Sequence, residues 1–171
     1  MAKGPSGVMV AWSVPPVQVL RTIAPVALHS PRRGLYVLDF GERRAGVVRL
    51  KNLACAAGHT IVLRHAEILQ HAGLPDLNQS AIDPAMIYIG ELRSARQTDV
   101  YTCAGDAAGE TWAPRLTYHG FRYVEINVSA APGVTITTAS AEMVHFASAL
   151  AQRAAVAFHA APTLDKIQRM A

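Results

Sequence analysis

From Phe121 to Val128 the chain reads FRYVEINV, with Val124, Ile126 and Val128 pointing one way and Tyr123, Glu125 and Asn127 the other. A period of two is the spacing of a β-strand, whose successive side chains leave on opposite faces. The same alternation places Val48 and Leu50 against Arg49 and Lys51, and Val134 and Ile136 against Thr135 and Thr137. Further short strands are expected at Leu35 to Phe40, closed by Asp39-Phe40-Gly41, and at Thr60 to Leu69, Met86 to Ile89 and Thr98 to Cys103. Val17, Val19 and Leu20, after Pro15-Pro16, make a first strand or an edge segment. Turn formers separate these runs at Pro31 to Gly34, Ala56 to Gly58, Gly105 to Gly109 and Pro132-Gly133. Gly58 can supply a positive φ, so the strand from Gly46 and the strand from Thr60 are expected to pair as a β-hairpin. With almost no helical periodicity before Phe146, the pattern predicts an all-β fold, an antiparallel β-sandwich.

Three segments follow from that pattern. Residues 1 to 14, broken by Gly4, Pro5 and Gly7, are an irregular lead-in, and residues 15 to 145 are the sandwich. Residues 146 to 171 are expected to form a short helical tail: Phe146 to Phe158 is alanine-rich, and Leu164, Ile167 and Met170 follow Pro162 at helical spacing. Within the sandwich, residues 70 to 86 carry Gly73, Pro75, Asp76, Asn78, Ser80, Asp83 and Pro84, which marks a long loop. Loops of that length inside a compact domain are more often functional than ornamental.

Charge narrows the partners. The net charge is +4, but only Arg32, Arg33, Arg43, Arg44, Arg49 and Lys51 cluster early while the rest scatter among Asp and Glu, so the basic stripe of a nucleic-acid footprint is not expected. The apolar patch Val8 to Trp12 is too short for a secretory segment or a membrane span, which favours a cytoplasmic chain or an excised domain. Cys55 and Cys103 fit no metal-ligand spacing; they read as small buried apolar residues, with one disulfide as the alternative. The histidines His59, His65, His71, His119, His145 and His159 contain no HxxxH or HxH pair, so neither zinc nor any other cofactor is expected. Asp76, Asn78 and Asp83 read as a hydrophilic loop, because calcium needs six to eight oxygens.

Several longer motifs occur in a fixed order: PPVQVLRTIAPV, YVLDFG, AGVVRL, LRHAE, ELRSARQTDVYTC, ETWAPR and LTYHGFRYVE. Together they resemble the concanavalin-like sandwich domain of bacterial α-L-rhamnosidases, glycoside hydrolase family seventy-eight, from about Pro15 to His145. The resemblance implies a jelly-roll or concanavalin-like sandwich that precedes a catalytic (α/α)-barrel, the natural partner of this domain. Phe158 to Met170 is similar to the segment leading into that barrel. The acidic catalytic residues of such enzymes lie in the barrel, so no catalytic residue is carried over to this chain.

The site candidates follow from the motifs. His65 and Glu67, two apart on one strand with Ile61 and Leu63, share a face. Tyr118, His119, Phe121, Arg122 and Tyr123 offer polar groups and an aromatic platform. His65, Glu67, Tyr118, His119, Arg122 and Tyr123 are therefore candidates for contact with a rhamnosyl glycoside or with the neighbouring domain. Arg122 is expected either to pair with a buried Glu67 or to face the barrel. Glu67, Glu91, Glu110, Glu125 and Glu142 read as surface acids, since no local motif places two of them for glycoside hydrolysis. Three roles fit: an accessory domain of an α-L-rhamnosidase-like enzyme, inactive alone; a free-standing carbohydrate-binding module; or an orphan fragment that self-associates as a homo-oligomer.

Overall fold

The computed structural model describes residues 7, 8, 10, 17–75, 77–129 and 133–146. The compact unit Val19–Val144 carries the sandwich. The expected helical tail after Phe146 lies outside the described residues. Among those described, no helix is long and apolar enough to cross a membrane.

Eight strands follow one another: β1 (Val17–Ile23), β2 (Ala27–Arg32), β3 (Leu35–Ala54), β4 (Thr60–Ala66), β5 (Thr98–Thr102), β6 (Glu110–Trp112), β7 (His119–Asn127) and β8 (Thr135–Phe146). Hydrogen bonding runs in the order β1-β8-β3-β7-β4-β5, with β2 and β6 also paired to β3. The long β3 serves both layers. Its first half is flanked by β2 and β7, and its second half by β6 and β8. The register shifts between Asp39 and Arg44 against β7, and such a bulge lets one strand pass from one sheet into the other.

The core lies between the layers. Leu38, Phe40, Ile61, Leu63, Phe121, Val124 and Ile126 meet Val48, Leu50 and Leu53, with Trp112 and Ile136 packed alongside. A second, smaller cluster covers the other face of the β3-β7-β4 layer, where Val37, Ala66 and Tyr123 meet Ile87 and Leu69 from the long connection after β4. Sheet faces are normally wet on one side; here the 67–97 connection dries the second side over β7.

Four expectations change. The strand from Leu35 does not close at Gly41 but runs on to Ala54, because Gly41, at φ 84°, absorbs the bulge instead of ending the strand. Strands β3 and β4 are not a hairpin: Gly58 does turn the chain at φ 83°, yet β4 pairs with β5 and β7. Met86 to Ile89 is no strand beyond the single Leu69–Ile87 bridge. Lastly, Cys55 and Cys103 form a disulfide that links positions 48 residues apart.

Glu110 and Glu125 correct the surface-acid reading, since only 7% and 6% of each is exposed. Beside the disulfide, Glu110 accepts hydrogen bonds from the Tyr101 hydroxyl and the N–H groups of Ala104, Gly105 and Asp106. The Tyr101 bond and the Ala104 N–H lead in pulling its pKa down to about 2, against the opposing push of burial. The carboxylate is the clasp of the β5–β6 turn. Glu125, by contrast, is raised by burial, with Arg64 and Arg32 pulling it back.

Candidate functional site

The six expected site residues separate into three places. Glu67, Arg122 and Tyr123 line an open cleft of about 520 Å³ with Arg43, Gln70 and His71. His65 and His119 lie beneath, on the core side of the layer. Tyr118, in the segment before β7, is 51% exposed and does not line the cleft.

The cleft is organised by Asp39. Its Oδ1 accepts from Arg122 Nε at 2.9 Å and its Oδ2 from Arg122 Nη2 at 2.8 Å, the parallel fork that suits a guanidinium and a carboxylate. Gly41 N–H adds a third bond to Oδ1 at 2.7 Å, so the bulge that bends β3 also fixes the acid. Burial pushes the Asp39 carboxyl up, but the Arg122 bonds, the Gly41 N–H and the nearby positive charges outweigh it and hold the pKa below its ordinary value. Arg122 is raised in turn by the Asp39 bond, against burial. Its guanidinium also lies 4.9 Å from the centre of the Tyr123 ring, a cation–π contact. Burial, then the Asp39 charge, raises the Tyr123 phenol.

Glu67 does not pair with Arg122. Its Oε2 lies 3.3 Å from Arg43 Nε, and its backbone N–H donates to Glu91 Oε1 at 3.3 Å. The shared face with His65 fails because β4 ends at Ala66, so Glu67 turns outward where the strand stops. The cleft therefore presents fixed cations, a carboxylate and a phenol at one rim, suited to a hydroxylated ligand or to polar groups of an adjoining domain. A flat aromatic platform is not among its features: Phe121 is fully buried, and the Arg122 guanidinium occupies a face of Tyr123.

Beneath the sheet, the His65 and His119 rings stack at 4.1 Å between centres and 26° between planes. Gln97 serves both: its carbonyl is 3.0 Å from His65 Nδ1, and its side-chain Oε1 is 2.9 Å from His119 Nδ1. His119 Nε2 lies 2.9 Å from Asp99 Oδ1. His65 Nε2 and Asp99 Oδ2 face each other at 3.9 Å, both buried and without a hydrogen-bond partner. Burial, and then the neighbouring His119, lower the His65 pKa to about 4.

Two histidines and an aspartate within 4.8 Å form a metal-type donor set. The rings do not fit an ion, however. An imidazole binds a metal along its in-plane lone pair, and two nearly parallel stacked planes share no such point. The other such group, Cys55, Cys103 and Glu110, has its sulfurs bonded to each other.

Comparison with known proteins decides the family. The description of the bacterial alpha-L-rhamnosidase concanavalin-like domain matches residues 29–145. The chain belongs to this family. An alpha-L-rhamnosidase of Streptomyces avermitilis is 41% identical over 123 residues, which span 72% of this chain and 10% of that protein. One from Alteromonas sp. (strain LOR) is 32% identical over 112 residues, 66% of this chain and 10% of its own. Among solved structures, the Streptomyces avermitilis alpha-L-rhamnosidase complexed with L-rhamnose is similar at TM-score 0.65 and 36% identity, over 81% of this chain and 12% of that one. The Dictyoglumus thermophilum alpha-L-rhamnosidase gives 0.63 and 36%, over 78% and 13%. The chain thus corresponds to about a tenth of the curated relatives' length, one domain of larger rhamnosidase chains.

Asp39, Gln97, Asp99 and Arg43 were not among the expected site residues, although all but Arg43 sit inside the quoted motifs YVLDFG and ELRSARQTDVYTC. An acid inside an apolar run was the available signal for Asp39.

Proposed function

We propose that the chain is the accessory sandwich of an α-L-rhamnosidase, inactive alone, and that the Arg122 cleft is its working surface against a catalytic (α/α)-barrel. The match over residues 29–145, at about a tenth of the relatives' length, is the observation that carries this reading. The cleft supports it. A bidentate Arg122–Asp39 pair left 37% exposed on its guanidinium side is a rigid polar anchor, and the bond to Gly41 keeps it fixed before any partner arrives. In this role Arg122, Tyr123 and Glu67 either contact the barrel or rim the sugar site. The Cys55–Cys103 disulfide supports an oxidising compartment, against the cytoplasmic expectation.

An NMR titration of the chain with L-rhamnose tests the rim. Shifts confined to Glu67, Arg122 and Tyr123 assign the cleft to sugar. An unchanged spectrum at tens of millimolar leaves it to domain contact and removes the carbohydrate-module reading.

Self-association is a second reading, favoured by an apolar hollow of about 440 Å³ lined by Pro25, Leu28, Tyr36 and Val134. Leu28 there is 62% exposed, and exposed apolar patches drive association. A monomer by light scattering at high concentration contradicts it.

A further inference from the structure

Arg93 holds a backbone conformation that its side chain disfavours. At φ 53° and ψ −109° it occupies a region where a Cβ is crowded and glycine is the cheaper residue. Such strain persists where the surroundings or a ligand require it. Gln97, the other positive-φ residue of the segment at φ 46°, has an evident reason, since its carbonyl and amide hold both buried histidines. Arg93 has no comparable contact: its backbone N–H reaches Gly90 O at 3.4 Å, and among the described residues its guanidinium has neither a hydrogen bond nor an ion pair.

Arg93 lines a pocket of about 350 Å³ with Arg64, Arg96, Thr98, Ile89 and Leu92. None of the three arginines is ion-paired among the described residues, whereas Arg43, Arg44 and Arg122 each grip a carboxylate. The nearby acids are committed elsewhere. Asp99 is turned to His119, Glu91 accepts the Glu67 N–H, and Glu125, opposite Arg64 in register, is buried and is pulled on by Arg64 and Arg32 together. The pocket is also ordered, because the Thr98 hydroxyl donates to the Arg96 carbonyl at 2.6 Å.

Three arginines line one hollow; Arg64 has a counter-charge in Glu125, so Arg93 and Arg96 contribute most of the oxyanion site, since the arginine fork matches a carboxylate or a sulfate group. The hollow has room for about one sugar ring. Ile89, 46% exposed, and Leu92 supply an apolar wall for the ring's C–H face. We propose that Arg64, Arg93 and Arg96 bind the carboxylate or sulfate ester of an acidic sugar residue. This deepens the accessory-domain reading, on which it rests for the glycan, by naming an anionic glycan as the substrate class.

The test titrates the 171-residue chain by NMR at constant ionic strength with potassium glucuronate, glucose 6-sulfate, glucose and inorganic sulfate. Saturating shifts at Arg64, Arg93, Ser94 and Arg96 with an acidic sugar are expected, roughly tenfold tighter than with glucose or inorganic sulfate. Arg93→Gly should weaken binding by roughly tenfold while raising the Tm by about 2–4 °C through release of strain. Arg96→Ala, at an exposed position, should weaken binding with the Tm unchanged. The proposal is overturned by no saturation with either acidic sugar, by inorganic sulfate binding as tightly, or by Arg93→Gly binding unaltered. L-rhamnose in the same series reports on the Arg122 cleft, so failure of that surface is read separately from failure of this one.

Discussion

Arg122 and Asp39, 83 residues apart, are joined by two parallel hydrogen bonds of 2.9 and 2.8 Å. They hold β7 to the bulge of β3 and set the rim of the cleft. Replacing Arg122 with Ala leaves a buried carboxylate without its cation, and should cost about 1–3 kcal/mol. Arg122→Lys keeps the charge but loses the fork, and should fall between. The folded Asp39 pKa is below its ordinary 3.8, so its contribution is present above that pH and is lost as pH falls through the folded value. Urea midpoints of wild type and Asp39→Asn should therefore differ at pH 7, and the difference should shrink as pH falls below 3.8.

The disulfide closes a loop between positions separated by 48 residues. Chain-entropy arguments put its stabilisation at about 4 kcal/mol. The paired Cys55→Ala, Cys103→Ala variant, or the reduced chain, should unfold at a correspondingly lower urea concentration. An unchanged midpoint under reducing conditions contradicts the bond.

Beside it, Glu110 titrates near 2, well below its ordinary 4.5. Its stabilisation is full above the ordinary value and fades as pH falls toward 2. Tyr101→Phe removes the largest cause of that shift, so the Glu110 carboxyl midpoint read by NMR should move up. Glu110→Gln should lower the Tm at pH 7 and leave the 104–106 N–H groups faster to exchange.

His65 behaves oppositely to an exposed histidine. Buried against Phe121 and stacked on His119, with Asp99 and the Gln97 carbonyl the polar groups facing it, it titrates near 4 instead of 6.5. The unfolded chain takes up the proton first, so stability is complete above 6.5 and declines as pH falls toward 4. The loss over that window is of the order of 3 kcal/mol. His65→Asn should flatten the decline, as read from denaturation midpoints between pH 8 and 4.

The strands of the sandwich were legible because alternation is a local property. His65 does share a face with Ile61 and Leu63, all three fully buried, and Gly58 turned where expected. Partnership was not legible. Nothing between Gly46 and Leu69 signals that β7, beginning at His119, pairs with both β3 and β4. Glu125 looked solvated because alternation assigns it to an outer face; the 67–97 connection that covers that face comes from elsewhere in the chain. Glu67 was matched to the wrong arginine for a similar reason. A strand's end moves a side chain from one face to another, and β4 ends one residue before Glu67. The family motifs located the segments that meet in space, but which atoms meet depended on the bulge at Gly41 and on the turn at Gln97.

The central claim is that this domain supports rhamnoside cleavage without performing it. The most direct measurement is hydrolysis of an aryl α-L-rhamnoside by the purified 171-residue chain. The account predicts no turnover above the uncatalysed rate at any pH between 4 and 9. Robust, saturable hydrolysis that survives repurification, and is abolished by a substitution in this chain, contradicts it.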